Sequence, residues 1–110
     1  MQNYIQKGDY LTLPAAPYDV APGDGCKVGS IFGVSANDSE SGAECVLGVV
    51  GVYRVLKVIS DTFAVGAAVY WDDTDKACTS TATSNTRIGV AVAGADNTDV
   101  TVDVRLHGAW

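Results

Sequence analysis

Three closely spaced carboxylates are the densest group of chemically capable side chains in the sequence. Asp72, Asp73 and Asp75 lie between two strand-like segments. A calcium-binding loop would need the pattern D-x-[DN]-x-[DN]-G, but Ala77 and Cys78 stand at the fifth and sixth positions from Asp73. The spacing therefore favours a solvated turn, and we assign no metal-binding residue. A small hydrolase that uses these carboxylates is the least favoured function, because they lack an obvious partner acid, base or metal.

The remaining catalytic residue types offer no recognisable arrangement. The single histidine, His107, continues the last strand-like segment on the same face as Thr101, Asp103 and Arg105, which favours a solvated strand end. No serine lies in a G-x-S-x-G pattern, and neither G-x-x-x-x-G-K-[ST] nor G-x-G-x-x-G occurs. We therefore predict no enzyme, no catalytic residue, no cofactor-binding residue and no cofactor.

Cys26, Cys45 and Cys78 are an odd number of cysteines at intervals of 19 and 33 residues, which match no zinc or redox motif. Each is flanked by strand-like sequence. We predict free, buried thiols in a reducing compartment.

Composition limits both the size of the protein and the class of its partners. A chain of 110 residues is predicted to form one domain, residues 1–110. Seven basic residues against 13 acidic residues give a net charge of −6, which argues against a nucleic-acid partner. The longest uncharged apolar run, residues 46–53, is too short to cross a membrane, and the first seven residues lack a secretory signal pattern. We therefore expect no membrane association.

Alternating hydrophobicity predicts an all-β fold. In residues 100–106 the apolar side chains alternate with polar ones, and in residues 87–93 we expect Ile88, Val90 and Val92 to share one face. The polar stretch between these segments predicts a C-terminal antiparallel hairpin. About eight short strands, with at most one helical turn in residues 60–65, indicate a small antiparallel barrel or a sandwich.

Further strands are expected at short intervals along the chain. Residues 4–7 and 10–13 flank a turn, as do residues 26–28 and 31–34, and residues 68–71 and 77–83. Residues 44–58 contain Gly48 and Gly51, which predict a bulge or sharp bend. Residues 21–28 resemble residues 64–71 at an offset of 43, since each segment has a glycine turn before a strand.

Two blocks, A-V-Y-W-D at residues 68–72 and N-T-R-I-G-V-A at residues 85–91, carry a resemblance to a family of small tailed-phage and prophage proteins. Residues 3–9, 29–34 and 102–106 extend the resemblance over nearly the whole chain. Such proteins are often labelled recombinase-like, but the missing phosphate-binding loop and the small size argue against that label here. The family is similar to capsid decoration, or cement, proteins.

The resemblance implies a structural protein that binds the outside of the phage head and reinforces it, commonly as a trimer. The implied partner is the major capsid protein, and the implied location is the virion exterior after synthesis in the host cytoplasm. Residues 1–6 could form an N-terminal arm, so Tyr4 and Ile5, together with Trp110, are the candidate contacts with other subunits or the capsid. The alternative is another virion or assembly protein, such as a head-fibre base.

Overall fold

Nine β-strands make up the regular structure of residues 10–106, the part of the chain that the computed structural model describes. The strands are β1 (Tyr10–Leu13), β2 (Gly25–Val28), β3 (Ile31–Ser35), β4 (Cys45–Gly48), β5 (Gly51–Leu56), β6 (Ala68–Asp72), β7 (Ala77–Thr79), β8 (Thr86–Ala91) and β9 (Thr101–Leu106). The predicted all-β fold is confirmed. The hairpins β2–β3, β6–β7 and β8–β9 confirm three of the predicted pairings, and the pairing of residues 4–7 lies outside the described residues.

The strands form two antiparallel sheets that remain separate. The first sheet has the order β1-β4-β3-β2 and the second has the order β5-β9-β8-β6-β7. A closed barrel would need a continuous ladder between the edge strands, whereas the segment after β5 meets β7 only at an isolated bridge between Lys57 and Cys78. The predicted sandwich is therefore confirmed, and the predicted barrel is wrong.

The chain passes from the first sheet to the second at the bend predicted in residues 44–58. Gly51 has a φ of 122°, a backbone conformation that favours glycine, and it directly follows the crossing between β4 and β5. The helical turn considered for residues 60–65 does not form. Phe63 instead exchanges two backbone hydrogen bonds of 2.9 Å with Ala95, so a long-range pairing replaces a local one.

The two sheets contain the same four-stranded unit. We call β1–β4 the first unit, and β5, β6, β8 and β9 the second unit, because both have the same strand order. The registers also correspond: Leu13 lies opposite Cys45 in the first unit, as Val55 lies opposite Val102 in the second. The second unit differs by an insertion. Thirteen residues (73–85) separate β6 from β8, whereas only two residues separate the corresponding strands β2 and β3 of the first unit. This insertion contains β7.

A shared glycine turn leads into the second strand of each unit and explains the sequence similarity at an offset of 43. Gly23 and Gly66 both have positive φ, at 91° and 85°. The Gly23 N–H donates to Ser35 in β3 over 2.9 Å, and the Gly66 N–H donates to Ala91 in β8 over 2.7 Å. A residue with a Cβ would strain either turn, so the same backbone requirement selects glycine twice.

Two groups of buried side chains hold the sheets together. The smaller group lies within the first unit and includes Cys26, Cys45 and Leu47. The larger group fills the second unit and also takes in residues of β3. Phe32 of β3 contacts Trp71 of β6 with ring centroids 4.9 Å apart, which joins the two sheets through a tilted aromatic pair.

A register shift in the second unit overturns the predicted face of β8. Val69 pairs with Gly89 while Tyr70 pairs with Arg87, so Ile88 is the extra residue of a β-bulge. Ile88 is consequently buried and Val92 is exposed, which makes the prediction of a shared face with Val90 wrong. In β9, by contrast, the predicted alternation is confirmed from residue 102 to residue 106.

Alanine at Gly89 should destabilise the fold strongly. Its Cβ would collide with the Arg105 backbone carbonyl and would lie 3.1 Å from a Val104 methyl group. A strand backbone cannot move without breaking its ladder, so Gly89→Ala should lower the free energy of unfolding by about 3 kcal/mol, measured by urea denaturation. Gly94→Ala is the matched control, because the nearest atom lies 3.7 Å away and its stability should hardly change. Equal stability of the two variants would contradict this packing.

Candidate interaction surface

The predicted contact residues Tyr4, Ile5 and Trp110 lie outside the described residues, and so does His107. Their roles in contacts or at a strand end stay predictions. The surfaces that the structure does describe belong to residues 10–106.

The carboxylate of Asp72 stabilises its own turn. Its Oδ1 accepts the backbone N–H of Thr74 at 2.9 Å and that of Asp75 at 3.2 Å. This is the local hydrogen-bonding pattern through which aspartate favours turns. One of the three clustered carboxylates is thereby engaged by the adjacent backbone.

Asp73 links the inserted hairpin to the first unit. Its Oδ1 accepts hydrogen bonds from Trp71 Nε1 at 3.0 Å and from the Tyr18 hydroxyl at 3.2 Å. The Tyr18 oxygen also accepts the Lys27 backbone N–H at 3.1 Å, and Lys76 Nζ lies 4.3 Å from the centroid of the Tyr18 ring. Asp73 thus satisfies the N–H of a buried indole. Sequence reasoning missed this role, for which the only local signal is an acid two residues after a tryptophan.

Lys57 is a buried cation whose bonding partners are backbone carbonyl groups. Its Nζ donates to the carbonyl oxygens of Asp61 at 2.7 Å, Ile59 at 2.8 Å and Val58 at 3.3 Å. An ammonium group has three protons to donate, and all three can be used here. This arrangement closes the loop after β5 rather than presenting a reactive amine.

The cleft beside Tyr18 is small for a substrate site. A cleft lined by Tyr18, Asp24, Val55 and Lys76 has a volume of about 190 Å³, below the roughly 300–1,000 Å³ typical of ligand pockets. Within residues 10–106, no group of three or more His, Cys, Asp or Glu side chains could hold a metal ion.

The three cysteines are free and buried, as predicted. Burial raises the pKa of the Cys78 thiol to about 12 and is the largest cause of the rise at Cys26, to about 11. The pKa of Cys45 is also raised, chiefly by burial. Because a thiolate is the reactive form, these protonated thiols are poor nucleophiles at neutral pH.

Several exposed side chains lie together on the outer face of the second sheet. Directly paired residues share a face, so the register places these side chains together. The outer face consists of Val52, Arg54 and Leu56 of β5, Ala68, Tyr70 and Asp72 of β6, Arg87 and Val90 of β8, Thr101, Asp103 and Arg105 of β9, and the buried Ala77 and Thr79 of β7. Arg54 Nε lies 2.9 Å from Asp103 Oδ1, and this hydrogen bond lowers the pKa of Asp103. The sequence analysis did not identify this surface.

The buried thiols should make stability fall at alkaline pH. Between about 9 and about 12, Cys78 stays protonated in the folded state but loses its proton when the chain unfolds. The folded state then binds more protons, so the unfolding free energy should fall with rising pH, by about 1.4 kcal/mol per pH unit for this thiol. Urea denaturation should show a shallower fall for Cys78→Ala than for the unmodified chain. Parallel pH curves for the two proteins would contradict a raised thiol pKa.

Comparison with known proteins identifies the family. A family model described as phage cement protein matches residues 5–106. Neither a curated protein nor a solved structure gives a significant match. Within the described residues, no helix is long and apolar enough to cross a membrane. Because the family model spans nearly the whole chain and covers both sheets, the chain belongs to the phage cement protein family.

Proposed function

We propose that this protein binds the outer surface of the phage capsid, through the major capsid protein, and stabilises the head. The observation that carries the proposal is the match to the phage cement protein family over residues 5–106. The proposal assigns the chain a structural role in the virion and no catalytic role. It also includes synthesis in the host cytoplasm and assembly as a homotrimer.

A rigid fold supports a reinforcing role. The two sheets contain short strands joined by turns, and the aromatic pair Phe32–Trp71 connects them. Among the described residues, every buried side-chain nitrogen or oxygen has a hydrogen-bond partner. Fully paired polar groups and close packing resist local opening, so such a module can bridge capsid subunits without deforming.

The charge of the chain fits a location on the outside of the shell. The net charge is −6, and negative charge is repelled by nucleic acid. A negatively charged module gains nothing from contact with packaged DNA. On the capsid exterior the negative charge faces solvent and is not repelled by the packaged DNA.

Binding to heads is the direct test of the capsid role. Purified protein should co-sediment with mature, expanded heads of its own phage, reach saturation at a fixed number of copies per head, and raise their resistance to heat or chelator. Gly94→Ala should bind as the unmodified chain does, because its fold has room for the added methyl group. Absence of co-sedimentation would refute the capsid role. Mass spectrometry of purified virions would distinguish an assembly factor that leaves the finished particle.

The mass of the protein in solution tests the proposed trimer separately. Light scattering coupled to size exclusion should give three times the chain mass of 11.4 kDa. The resemblance to capsid decoration proteins implies the trimer, and trimerisation would hide apolar surface that a chain of this size cannot bury alone. A single-chain mass at all concentrations would contradict the trimer and leave the capsid role to the sedimentation test.

A further inference from the structure

All three arginines of the chain lie on one surface, the outer face of the second sheet. Arg54 belongs to β5, Arg87 to β8 and Arg105 to β9. Arg54 pairs with Asp103, while Arg87 and Arg105 have no ion-pair partner among residues 10–106. Asp72 and Asp103 lie on the same face, so it carries three positive charges against two negative ones, in a chain whose net charge is −6.

Exposed apolar side chains accompany the arginines. Val52 and Leu56 each keep 57% of their surface exposed, and Val92, just beyond the end of β8, keeps 42%. Tyr70 and Val90 are half-buried on the same face, which contains no lysine and no glutamate. Arginine and tyrosine are enriched at protein interfaces, and lysine and glutamate are depleted there, so this part of the composition fits a contact surface, whereas Asp103 and Ala68 belong to depleted types.

In the first unit, the positions that correspond to this face are buried. By strand register, Gly25, Val34 and Gly48 of the first unit correspond to Ala68, Val90 and Arg105 of the second. Gly25, Val34 and Gly48 are all buried within the chain.

Packing against the second unit is what buries two of these first-unit positions. A Cβ at Gly25 would lie 2.6 Å from the Trp71 ring, and one at Gly48 would collide with the Tyr53 hydroxyl. This face of the first unit thus packs on the second unit. Within residues 10–106, the corresponding positions of the second unit are half-buried at Ala68 and Val90 and exposed at Arg105.

The first unit also carries the charge that would complement this face. Asp19, Asp24, Asp38 and Glu40 line one surface depression of about 570 Å³, and no basic residue lines it. We call these four residues the acidic depression. Two opposite charge patterns on one chain favour contact between copies of that chain, since complementary potentials steer and orient association.

We propose that the outer face of the second sheet docks on the acidic depression of a second copy of this chain. The inference rests on the self-association proposed above and identifies the surfaces that make it. Such a contact joins two different patches, so repeating it under a threefold rotation closes a ring of three chains. The unpaired guanidinium groups of Arg87 and Arg105 bind carboxylates of the neighbour, and Val52 and Leu56 lose their contact with water.

Charge reversal on the outer face tests the contact. Arg87→Glu combined with Arg105→Glu should weaken self-association at least about tenfold, measured by sedimentation velocity over a concentration series. Lys27→Glu is the matched control for the single reversal Arg105→Glu, because each changes the net charge by −2 and Lys27 lies on the first sheet, away from the outer face. The control should associate as the unmodified chain does.

Restoration of the contact identifies the partner surface. Adding Asp38→Arg and Glu40→Arg to the doubly reversed chain should recover association, because the opposite charges then exchange places. Circular dichroism of each variant should match the unmodified chain, which separates a lost contact from a lost fold.

The outcomes separate this inference from the proposed function. If the arginine variant keeps the mass of the unmodified oligomer, or if the exchanged charges fail to restore association, the docking inference is overturned although the trimer stands. If the unmodified chain is a monomer and the arginine variant loses binding to heads, the outer face docks on the capsid instead, and the inference is also overturned. If association behaves as expected but no variant binds heads, the capsid role alone fails.

Discussion

The contact between Trp71 and the first sheet is the interaction on which the rest of the structure depends. The indole packs beside Phe32, and its six-membered ring fills the space that a Cβ at position 25 would occupy. Its N–H donates to Asp73, which also accepts the Tyr18 hydroxyl. One side chain therefore joins the two sheets through apolar contact and orients the inserted hairpin through a hydrogen bond. A large aromatic side chain is thus buried at the contact between the sheets with its polar atom satisfied.

The repeated unit explains why equivalent faces of the two sheets differ in burial. A four-stranded sheet has two faces, and neither the first unit (residues 10–48) nor the second (residues 51–106) has a second layer of its own to cover them. Pairing two such units covers one face of the first, at Gly25 and Gly48, where small residues admit the partner. The second unit has larger side chains, Ala68 and Arg105, at the equivalent positions, and among the described residues that face stays partly exposed. The chain therefore has one buried and one partly exposed copy of the same surface among the described residues.

Local patterns predicted much of the fold, and the errors have identifiable physical causes. The alternation in β9 predicted its buried face because each residue there keeps the two-residue period. The same logic failed in β8, where the bulge at Ile88 reverses the faces of all later residues. The prediction of a barrel was wrong because an alternating pattern identifies strands but does not show whether the two edge strands of a sheet pair with each other. The role of Asp73 was missed because its partner Tyr18 lies 55 residues away in the sequence.

The sequence by itself determined the fold class, the free and buried thiols, the glycine turns and the family, because each depends on residue types over short stretches or on matched blocks. Only the tertiary structure decided which sheet each strand joins, that the two sheets repeat one unit, and that Arg54, Arg87 and Arg105 share a face. These three residues are far apart in the chain, and no local pattern relates them. Strand pairing across long separations brings them together, since a hydrogen-bonded register fixes which side chains face the same way.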